Sequence, residues 1–346
     1  MATNVEVSLK KPTINDVARL AGVSKKTVSR VLNNSPQVTD KTREKVTAVM
    51  GQLNYEPDPQ ARGLASKHSY LLGLVYDNPN TIYISDVQKG ILSACRGTGY
   101  ELIMHPGDFN SREMTDDVCQ FVSRARIGGL ILLSPISQVE TLARRLQKSQ
   151  VPYVRISPKQ IDDAARVVVS DDKLGAELMT EYLVSIGHRD IGFITGPSSS
   201  LSTQQKFEGF CKIMQKHKLP VQESLVVEGE NTFNTGVLAG RHLLESKNRP
   251  TVIFASNDAM ALGVMKSAKM LDISVPEQLS VAGYDDSALA TVTWPDLTTI
   301  RQPVELMGEF ATRKLIKQLS GGAVTSEASK VVKPELVVRN STREYS

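Results

Sequence analysis

The stretch Pro12–Asn33, PTINDVARLAGVSKKTVSRVLN, determines how the rest of the chain is interpreted. Its apolar residues recur at helical spacing on either side of a turn of small residues, Ala21–Val23. Thr13 can cap the first helix together with Asp16, and Ser24 can cap the second. The stretch therefore predicts two short helices joined by a tight turn. The apolar faces consist of Ile14, Val17, Ala18 and Ala21 on the first helix and Val28, Val31 and Leu32 on the second.

The other face of the second helix is polar and basic. No acidic residue occurs between Asp16 and Asp40, whereas four basic residues do. A helix that recognises DNA packs on one side and approaches the phosphates on the other. An ordinary helical hairpin with a solvated basic face has the same periodicity, so spacing alone leaves both interpretations open. The residues of this face are Lys25, Lys26, Thr27, Ser29 and Arg30.

The string IxDVAxxAGVSxxTVSRVLN closely resembles the DNA-binding headpiece of the LacI–GalR family of bacterial transcription regulators. The match runs over about twenty consecutive positions, which makes it far more specific than a short motif. The resemblance implies a dimer that binds a palindromic operator in double-stranded DNA, one half-site per subunit. It implies DNA contacts from Thr13, Ser24, Lys25, Lys26, Thr27, Ser29, Arg30 and Asn33.

The segment 57–68 follows a third predicted helix, which begins after Thr39. A helical stretch this short, weakened by Gly63, is not expected to be stable in isolation. Composition alone favours a simple linker. The resemblance instead implies a hinge helix that forms on DNA and wedges a leucine into the minor groove. Ala61, Arg62 and Leu64 match its close-contact alanine, its phosphate partner and its wedge.

Length and charge distribution indicate two kinds of domain. The chain has 346 residues, enough for about two domains. Residues 1–67 carry a net charge of +5 and residues 68–346 a net charge of −1. A basic head on a nearly neutral body is typical of a DNA-binding module joined to a separate domain. The longest apolar runs are strand-sized, and the N-terminus lacks a signal pattern, so we expect a cytoplasmic protein without membrane contact.

From Tyr70 onward, short apolar runs alternate with longer amphipathic stretches in two successive sets. Repeated β-α-β units predict parallel sheets with helices on both faces. The expected fold class is α/β: a helix-turn-helix headpiece plus a periplasmic-binding-protein-like core of two doubly wound parallel-sheet subdomains. The predicted divisions are a headpiece at 1–56, a hinge at 57–68 and a core at 69–346. Within the core, we expect subdomain 1 at about 69–163 and 297–325, and subdomain 2 at about 164–296 and 326–346.

Ligands of such sheets bind outside the carboxyl ends of the strands. The polar and aromatic residues predicted there suit a hydroxyl-rich ligand, and we expect a carbohydrate or a derivative of one. The resemblance adds that Asn257 and Asp285 match effector-binding positions, that Lys206 stands where arginine is usual, and that Phe233 can replace a stacking ring. The predicted effector-binding residues are Tyr76, Asp77, Asn78, Tyr83, Arg155, Ser200, Ser202, Lys206, Phe233, Asn257 and Asp285.

Two of these assignments leave alternatives open. Arg155 can bind an acidic or phosphorylated sugar, or it can pair with a carboxylate of the core. Ser202, like Asp172 and Asp258, can merely cap a helix, which is the commoner role of such residues.

We expect no catalysis, no metal and no cofactor. The five histidines are dispersed, the three cysteines are too scattered for a cluster, and GPSSS is not a nucleophile elbow. The sequence therefore predicts a repressor of carbohydrate-utilisation genes that is controlled by a small sugar-like effector. The alternatives are a sugar-sensing protein that does not regulate DNA, an α/β enzyme acting on sugars, and a regulator that responds to a nucleobase or another metabolite.

Overall fold

The computed structural model describes residues 12–32, 37–55, 69–321 and 331–345. It divides into two units, Met1–Ser69 and Tyr70–Ser346. The predicted DNA contacts Asn33, Ala61, Arg62 and Leu64 lie outside the described residues.

The first unit contains three helices among its described residues, α1 (Ile14–Leu20), α2 (Lys25–Leu32) and α3 (Asp40–Gln52). They share a core of small apolar side chains. Gly22 has a φ of 61°, so the turn between α1 and α2 uses the left-handed region that glycine adopts without strain. The buried side chains of this core are Val17, Ala18, Ala21, Val28, Val31, Val46 and Val49.

The second unit begins with a five-stranded parallel sheet in the order β2-β1-β3-β4-β5. Its central strands are buried along nearly their whole length, which agrees with their continuous apolar sequences. In chain order this part comprises β1 (Leu71–Tyr76), α4 (Thr81–Cys95), β2 (Glu101–Pro106), α5 (Met114–Ala125), β3 (Gly129–Leu132), α6 (Glu140–Lys148), β4 (Tyr153–Ser157) and β5 (Val167–Val169).

A second parallel sheet follows, with the order β7-β6-β8-β9. Its strands also alternate with helices, so the core is α/β and consists of two similar parallel-sheet subdomains, as the sequence predicts. In chain order this part comprises α7 (Asp172–Ser185), β6 (Ile191–Thr195), α8 (Leu201–Lys216), β7 (Val226–Glu228), α9 (Phe233–Glu245), β8 (Val252–Ala255), α10 (Asp258–Met270) and β9 (Ser280–Ala282).

The boundary between the subdomains differs from the prediction. β5, which was expected to open subdomain 2 after residue 163, pairs in parallel with β4 and completes the first sheet. The chain therefore passes to subdomain 2 only after Val169. The reason is that β5 is buried in all three residues, and an apolar strand is stabilised by pairing with the edge of an existing sheet.

After β9 the chain returns toward the first sheet. The strand β10 (Thr299–Arg301) leads into α11 (Val304–Leu319), which packs on α4. The two helices approach so closely that a Cβ on Gly90 would lie 1.9 Å from the Glu305 carbonyl oxygen. The next strand, β11 (Glu335–Val337), then pairs antiparallel with β10.

Several large apolar side chains remain at the surface of the second unit. Trp294 is 96% exposed and its neighbour Val292 is 72% exposed. Leu92 on α4 and Met270 at the end of α10 are also exposed.

Candidate functional site

The basic face of α2 is available for DNA. Ser24 accepts a hydrogen bond from the Thr27 backbone N–H at 3.1 Å, so it caps α2 as predicted. Lys25 and Lys26 are exposed, whereas Val28 lies in the headpiece core. The helix therefore separates a packed side from a cationic side, which is the arrangement of a recognition helix. Thr27, Ser29 and Arg30 are half-buried on the same element.

Thr13 is held at the start of α1. Its backbone N–H and its hydroxyl both donate to Oδ2 of Asp16, at 3.0 and 2.7 Å. The Thr13 hydroxyl, then its N–H and the Arg19 guanidinium, lower the pKa of Asp16 to about 2. The carboxylate stays ionised at the helix N-terminus, where negative charge is favoured.

A cleft of about 540 Å³ lies between the two sheets of the core. Its lining combines residues after the ends of β1, β3 and β4 with residues after β6, β7 and β8, so both subdomains contribute. Eight of the eleven predicted effector residues lie along it. These are Asp77, Asn78, Tyr83, Ser200, Ser202, Lys206, Asn257 and Asp285.

Arg155 does not line the cleft, and its predicted role as an effector ligand is not supported by its position. It is 1% exposed, and its Nη1 donates to the Ser137 carbonyl at 3.1 Å and to Glu140 at 3.2 Å. Its Nε lies 3.2 Å from Asp162 Oδ2, as an ion pair whose geometry is not that of an aligned hydrogen bond. The alternative interpretation, pairing with core carboxylates, describes this residue.

Tyr76 and Phe233 are also absent from the cleft lining. Tyr76 is the last residue of β1, and its ring packs against the core of the first sheet. Phe233 is the first residue of α9 and is 44% exposed. Both are aromatic residues at the end of an element, where a ring can stack on a ligand. The direction of a side chain at such an end cannot be deduced from spacing alone.

Asp172 lines the cleft in a role that the sequence did not reveal. The cap of α7 is Asp171, in a left-handed conformation, so Asp172 is free to turn inward. One of its carboxylate oxygens accepts from Ser170 and Gln302, and the other accepts from Ser202. Because both oxygens are occupied, Asp172 holds Ser202 and Gln302 in place at the cleft wall.

Lys206 reaches the cleft from α8 as a buried cation. Its Nζ donates to the Ser256 carbonyl at 2.9 Å and lies 3.8 Å from the centre of the Tyr284 ring. Asp285 follows β9, with a φ of 113°, in a conformation that few residues other than glycine adopt. Burial raises the pKa of the Asp285 carboxyl, although the nearby charge of Lys206 opposes that shift.

Asn257 faces the cleft, but both ends of its amide are engaged. Its Oδ1 caps α10 by accepting from the Met260 N–H at 2.9 Å, and its Nδ2 donates to the Asn231 carbonyl at 2.9 Å. Further lining residues that were not predicted include Asn80, Glu228 and Glu230. Glu228 and Glu230 lie at and after the end of β7, so a complete listing of strand ends would have found them.

Hydrogen bonds between described residues cross from one subdomain to the other. The Gln138 amide, which follows β3, donates to the Ser199 carbonyl at 2.9 Å and accepts from the Leu201 N–H at 3.0 Å. Asn80 Nδ2 donates to Asp285 Oδ2 at 3.3 Å. We call the Gln138 contacts the cross-cleft clasp. They join the two walls of the cleft.

Across the described ranges, no group of three or more histidine, cysteine or acidic side chains is arranged to hold a metal ion. In the same ranges, none of the helices has the length and apolar content needed to cross a membrane.

Comparison with known proteins agrees with this architecture. Residues 13–58 match the family of bacterial regulatory proteins of the lacI type, and residues 180–342 match the periplasmic binding protein-like domain. The HTH-type transcriptional repressor PurR of Vibrio parahaemolyticus is 33% identical over 96% of this chain and 99% of its own length. The ribose operon repressor of Escherichia coli is 32% identical over 89% of this chain and 93% of its own.

Solved structures give the same result. The lac repressor dimer bound to operator and an anti-inducer superposes with a TM-score of 0.78 at 30% identity, covering 96% of this chain and 100% of that one. The complex of the transcriptional regulator CelR with cellobiose gives a TM-score of 0.71 at 29% identity, covering 95% and 99%.

A helix-turn-helix unit followed by a two-layer core with a ligand-sized cleft defines the class of effector-responsive DNA-binding regulators. The chain belongs to the LacI family of bacterial regulatory proteins. It is a DNA-binding transcription regulator and not an enzyme.

Proposed function

We propose that this protein is a cytoplasmic homodimeric repressor of carbohydrate-utilisation genes. In this proposal its headpieces bind the two halves of a palindromic operator, and a sugar or sugar derivative binds in the cleft and changes the affinity for DNA. The observation that supports it most directly is the cleft itself. Both of its walls carry carboxylate, amide and hydroxyl groups, which are the partners that a hydroxyl-rich ligand requires.

The expected mechanism is a coupling between closure of the cleft and the position of the headpieces. A ligand that contacts both walls stabilises the closed core relative to the open one, because only the closed core makes both sets of contacts. Coupling of this kind typically changes the second affinity by about 1–3 kcal/mol. The relatives support this proposal, because they include a ribose operon repressor and a regulator whose structure was solved in complex with cellobiose.

The proposed dimer is supported by the exposed apolar side chains of the core. Leu92 lies on α4 and Met270 lies at the end of α10. Trp294 and Val292 add a further exposed apolar pair. The lac repressor, with which the chain superposes closely, is a dimer in its operator complex.

The test begins with selection of duplexes from a random DNA library by the full chain, followed by fluorescence anisotropy on the selected sequence. We expect an inverted repeat, and we expect the double variant Ser29→Ala/Arg30→Ala to lose discrimination between this site and a scrambled site. Arg241→Ala is the control, because it also removes one arginine but lies on the exposed surface of α9. Selection without an inverted repeat, or retained discrimination in the double variant, would contradict the proposal.

A panel of sugars, sugar derivatives and nucleobases then tests the effector class. We expect one or more of the sugars to shift the anisotropy titration of wild type and to leave that of Asp285→Ala unchanged. A response to nucleobases alone would assign the cleft to a different ligand class.

A further inference from the structure

The cleft has a strongly uneven charge distribution. Among the described residues that line it, Lys206 is the sole lysine, arginine or histidine. Five carboxylates share the same lining. They are Asp77, Asp172, Glu228, Glu230 and Asp285.

The charge of Lys206 is already engaged with the protein. The residue is 7% exposed, its Nζ donates to the Ser256 carbonyl, and the Tyr284 ring covers the ammonium at 3.8 Å. Its field also acts on Asp285, whose pKa it lowers against the larger effect of burial. The Lys206 ammonium is therefore engaged by the Ser256 carbonyl and the Tyr284 ring, and an anionic ligand would have to compete with these contacts.

Three carboxylates have no such compensation. Within the described part of the chain, Asp77, Glu228 and Glu230 form no ion pair with a basic side chain. Asp77 accepts from the Phe109 N–H at 2.8 Å, and Glu228 accepts from the Ser198 N–H at 2.8 Å. In each carboxylate one oxygen therefore accepts from an uncharged backbone donor, and the second oxygen can accept from a ligand. We call Asp77, Glu228 and Glu230 the open carboxylates.

A separate observation indicates that the same space is built for a ligand. Ser157 lies at the end of β4 and is 1% exposed, and it lines the cleft. Its hydroxyl has no hydrogen-bond partner in the structure. Buried polar groups are normally paired, so an unpartnered hydroxyl at a cavity wall indicates a partner supplied by the ligand.

The open carboxylates come from both walls. Asp77 follows β1 in subdomain 1, whereas Glu228 and Glu230 lie at and after the end of β7 in subdomain 2. Like charges on facing walls oppose closure. A cation placed between them removes that repulsion and gains a charge-assisted hydrogen bond to each wall that it reaches.

We propose that the effector is a cationic polyol, such as an amino sugar, whose ammonium group is bound by the open carboxylates. The ring hydroxyls are then bound by the amide and hydroxyl groups of the cleft, including Ser157 and Gln302. The inference rests on the proposed function, in which the cleft is the effector site, and it narrows the ligand class. Sugar phosphates and uronates are excluded because the cleft offers them no uncommitted cation.

The experiment measures binding to the full chain by calorimetry for matched sets of probes. Each set contains a neutral parent sugar, its 2-amino derivative, its uronate and its 6-phosphate, with glucose, galactose and mannose as parents. We expect at least one amino sugar to bind about tenfold or more tightly than its neutral parent, which is the effect of one charge-assisted hydrogen bond. We expect no binding of the uronate or the phosphate of that set.

Variants separate charge recognition from general binding. Asp77→Asn and Glu230→Gln keep the size of the side chain but remove its charge, so each should lower the ratio of the amino-sugar affinity to the neutral-parent affinity. Glu245→Gln, on the exposed face of α9, is the matched control and should leave the advantage intact. Because Glu228 and Glu230 are exposed, the advantage should also shrink as salt is raised.

The possible failures can be distinguished. Tighter binding of a phosphate or uronate than of its neutral parent, or equal binding of amino sugar and parent, would overturn the charge inference and leave a sugar effector in place. Failure of every polyol, together with binding of a nucleobase, would overturn the proposed effector class as well.

Discussion

Replacement of Gln138 by alanine should open the cross-cleft clasp and leave the rest of the core folded. The clasp consists of two hydrogen bonds, at 2.9 and 3.0 Å, between one half-buried side chain and the backbone of the opposite wall. A net contribution of about 0.5–1.5 kcal/mol for each bond, taken toward the low end because the group is partly accessible to water, gives about 1–2 kcal/mol. The ratio of closed to open core should therefore fall by about 5- to 30-fold.

Hydrogen exchange at the Leu201 amide measures this change without an effector. Leu201 is the first residue of α8, and the first N–H groups of a helix have no acceptor within the helix. Its N–H donates to Gln138 Oε1, so its protection depends on the clasp. We expect exchange of this amide to accelerate by at least about 5- to 30-fold in Gln138→Ala, because the variant shifts the core toward the open state and also removes the acceptor of this N–H.

Two variants make the result specific. Gln138→Glu retains an acceptor for the Leu201 N–H but loses the donor to Ser199, so it should fall between wild type and the alanine variant. Gln205→Ala is the control: Gln205 lies on α8, as Leu201 does, and its side chain donates to Glu208, so this variant should leave hydrogen exchange at Leu201 unchanged. Unchanged exchange at Leu201 in Gln138→Ala would show that the clasp does not hold the walls together.

Three further outcomes are expected. Ser24→Ala should destabilise α2 by about 1 kcal/mol through loss of its cap, measured as faster hydrogen exchange in residues 25–32. Ser24→Asp should not destabilise α2, because aspartate can also cap a helix. Equal exchange in both variants would contradict the capping role. Arg155→Met should lower the free energy of unfolding in urea by about 3 kcal/mol, because it leaves the carboxylate of Asp162 without its buried partner. The same variant should not change effector affinity, and a large loss of affinity would show that Arg155 belongs to the binding site. Burial raises the pKa of Asp285 in the folded protein, so its contribution to stability is present at low pH and is lost as the pH rises through that raised pKa. Asp285→Asn should therefore gain thermal stability relative to wild type as the pH rises from 4 to 8. A constant difference in melting temperature across that range would refute the pKa shift.

The sequence predicted the elements of the fold closely because the periodicity is strong. From Tyr70 onward the alternation of apolar runs and amphipathic stretches predicted β-α-β units, and the strands and helices of both parallel sheets follow that order. The subdomain boundary was wrong because β5 is too short to show which sheet it joins. That choice depends on a parallel pairing with β4 that only the folded chain contains.

The site was predicted less completely because spacing gives a position on an element but not the direction of a side chain. Asp285 and Lys206 were found from the resemblance. Arg155 lies in the middle of β4 and not at the strand end where a ligand binds, and its guanidinium turns toward Glu140 and Asp162. Gln138 could not have been found, because its role consists of contacts with the backbone about sixty residues later.

The exposure of Trp294 has a practical consequence. The chain contains a single tryptophan, and its indole is 96% exposed, so all tryptophan fluorescence of the protein comes from one position on the surface of the core. An indole in water emits at longer wavelength than one in an apolar contact. If the proposed dimer covers this side chain, dilution to the monomer should move the emission to the red, and the concentration at the midpoint gives the dissociation constant. The protein thus contains an intrinsic optical probe of its own association, and no label has to be attached.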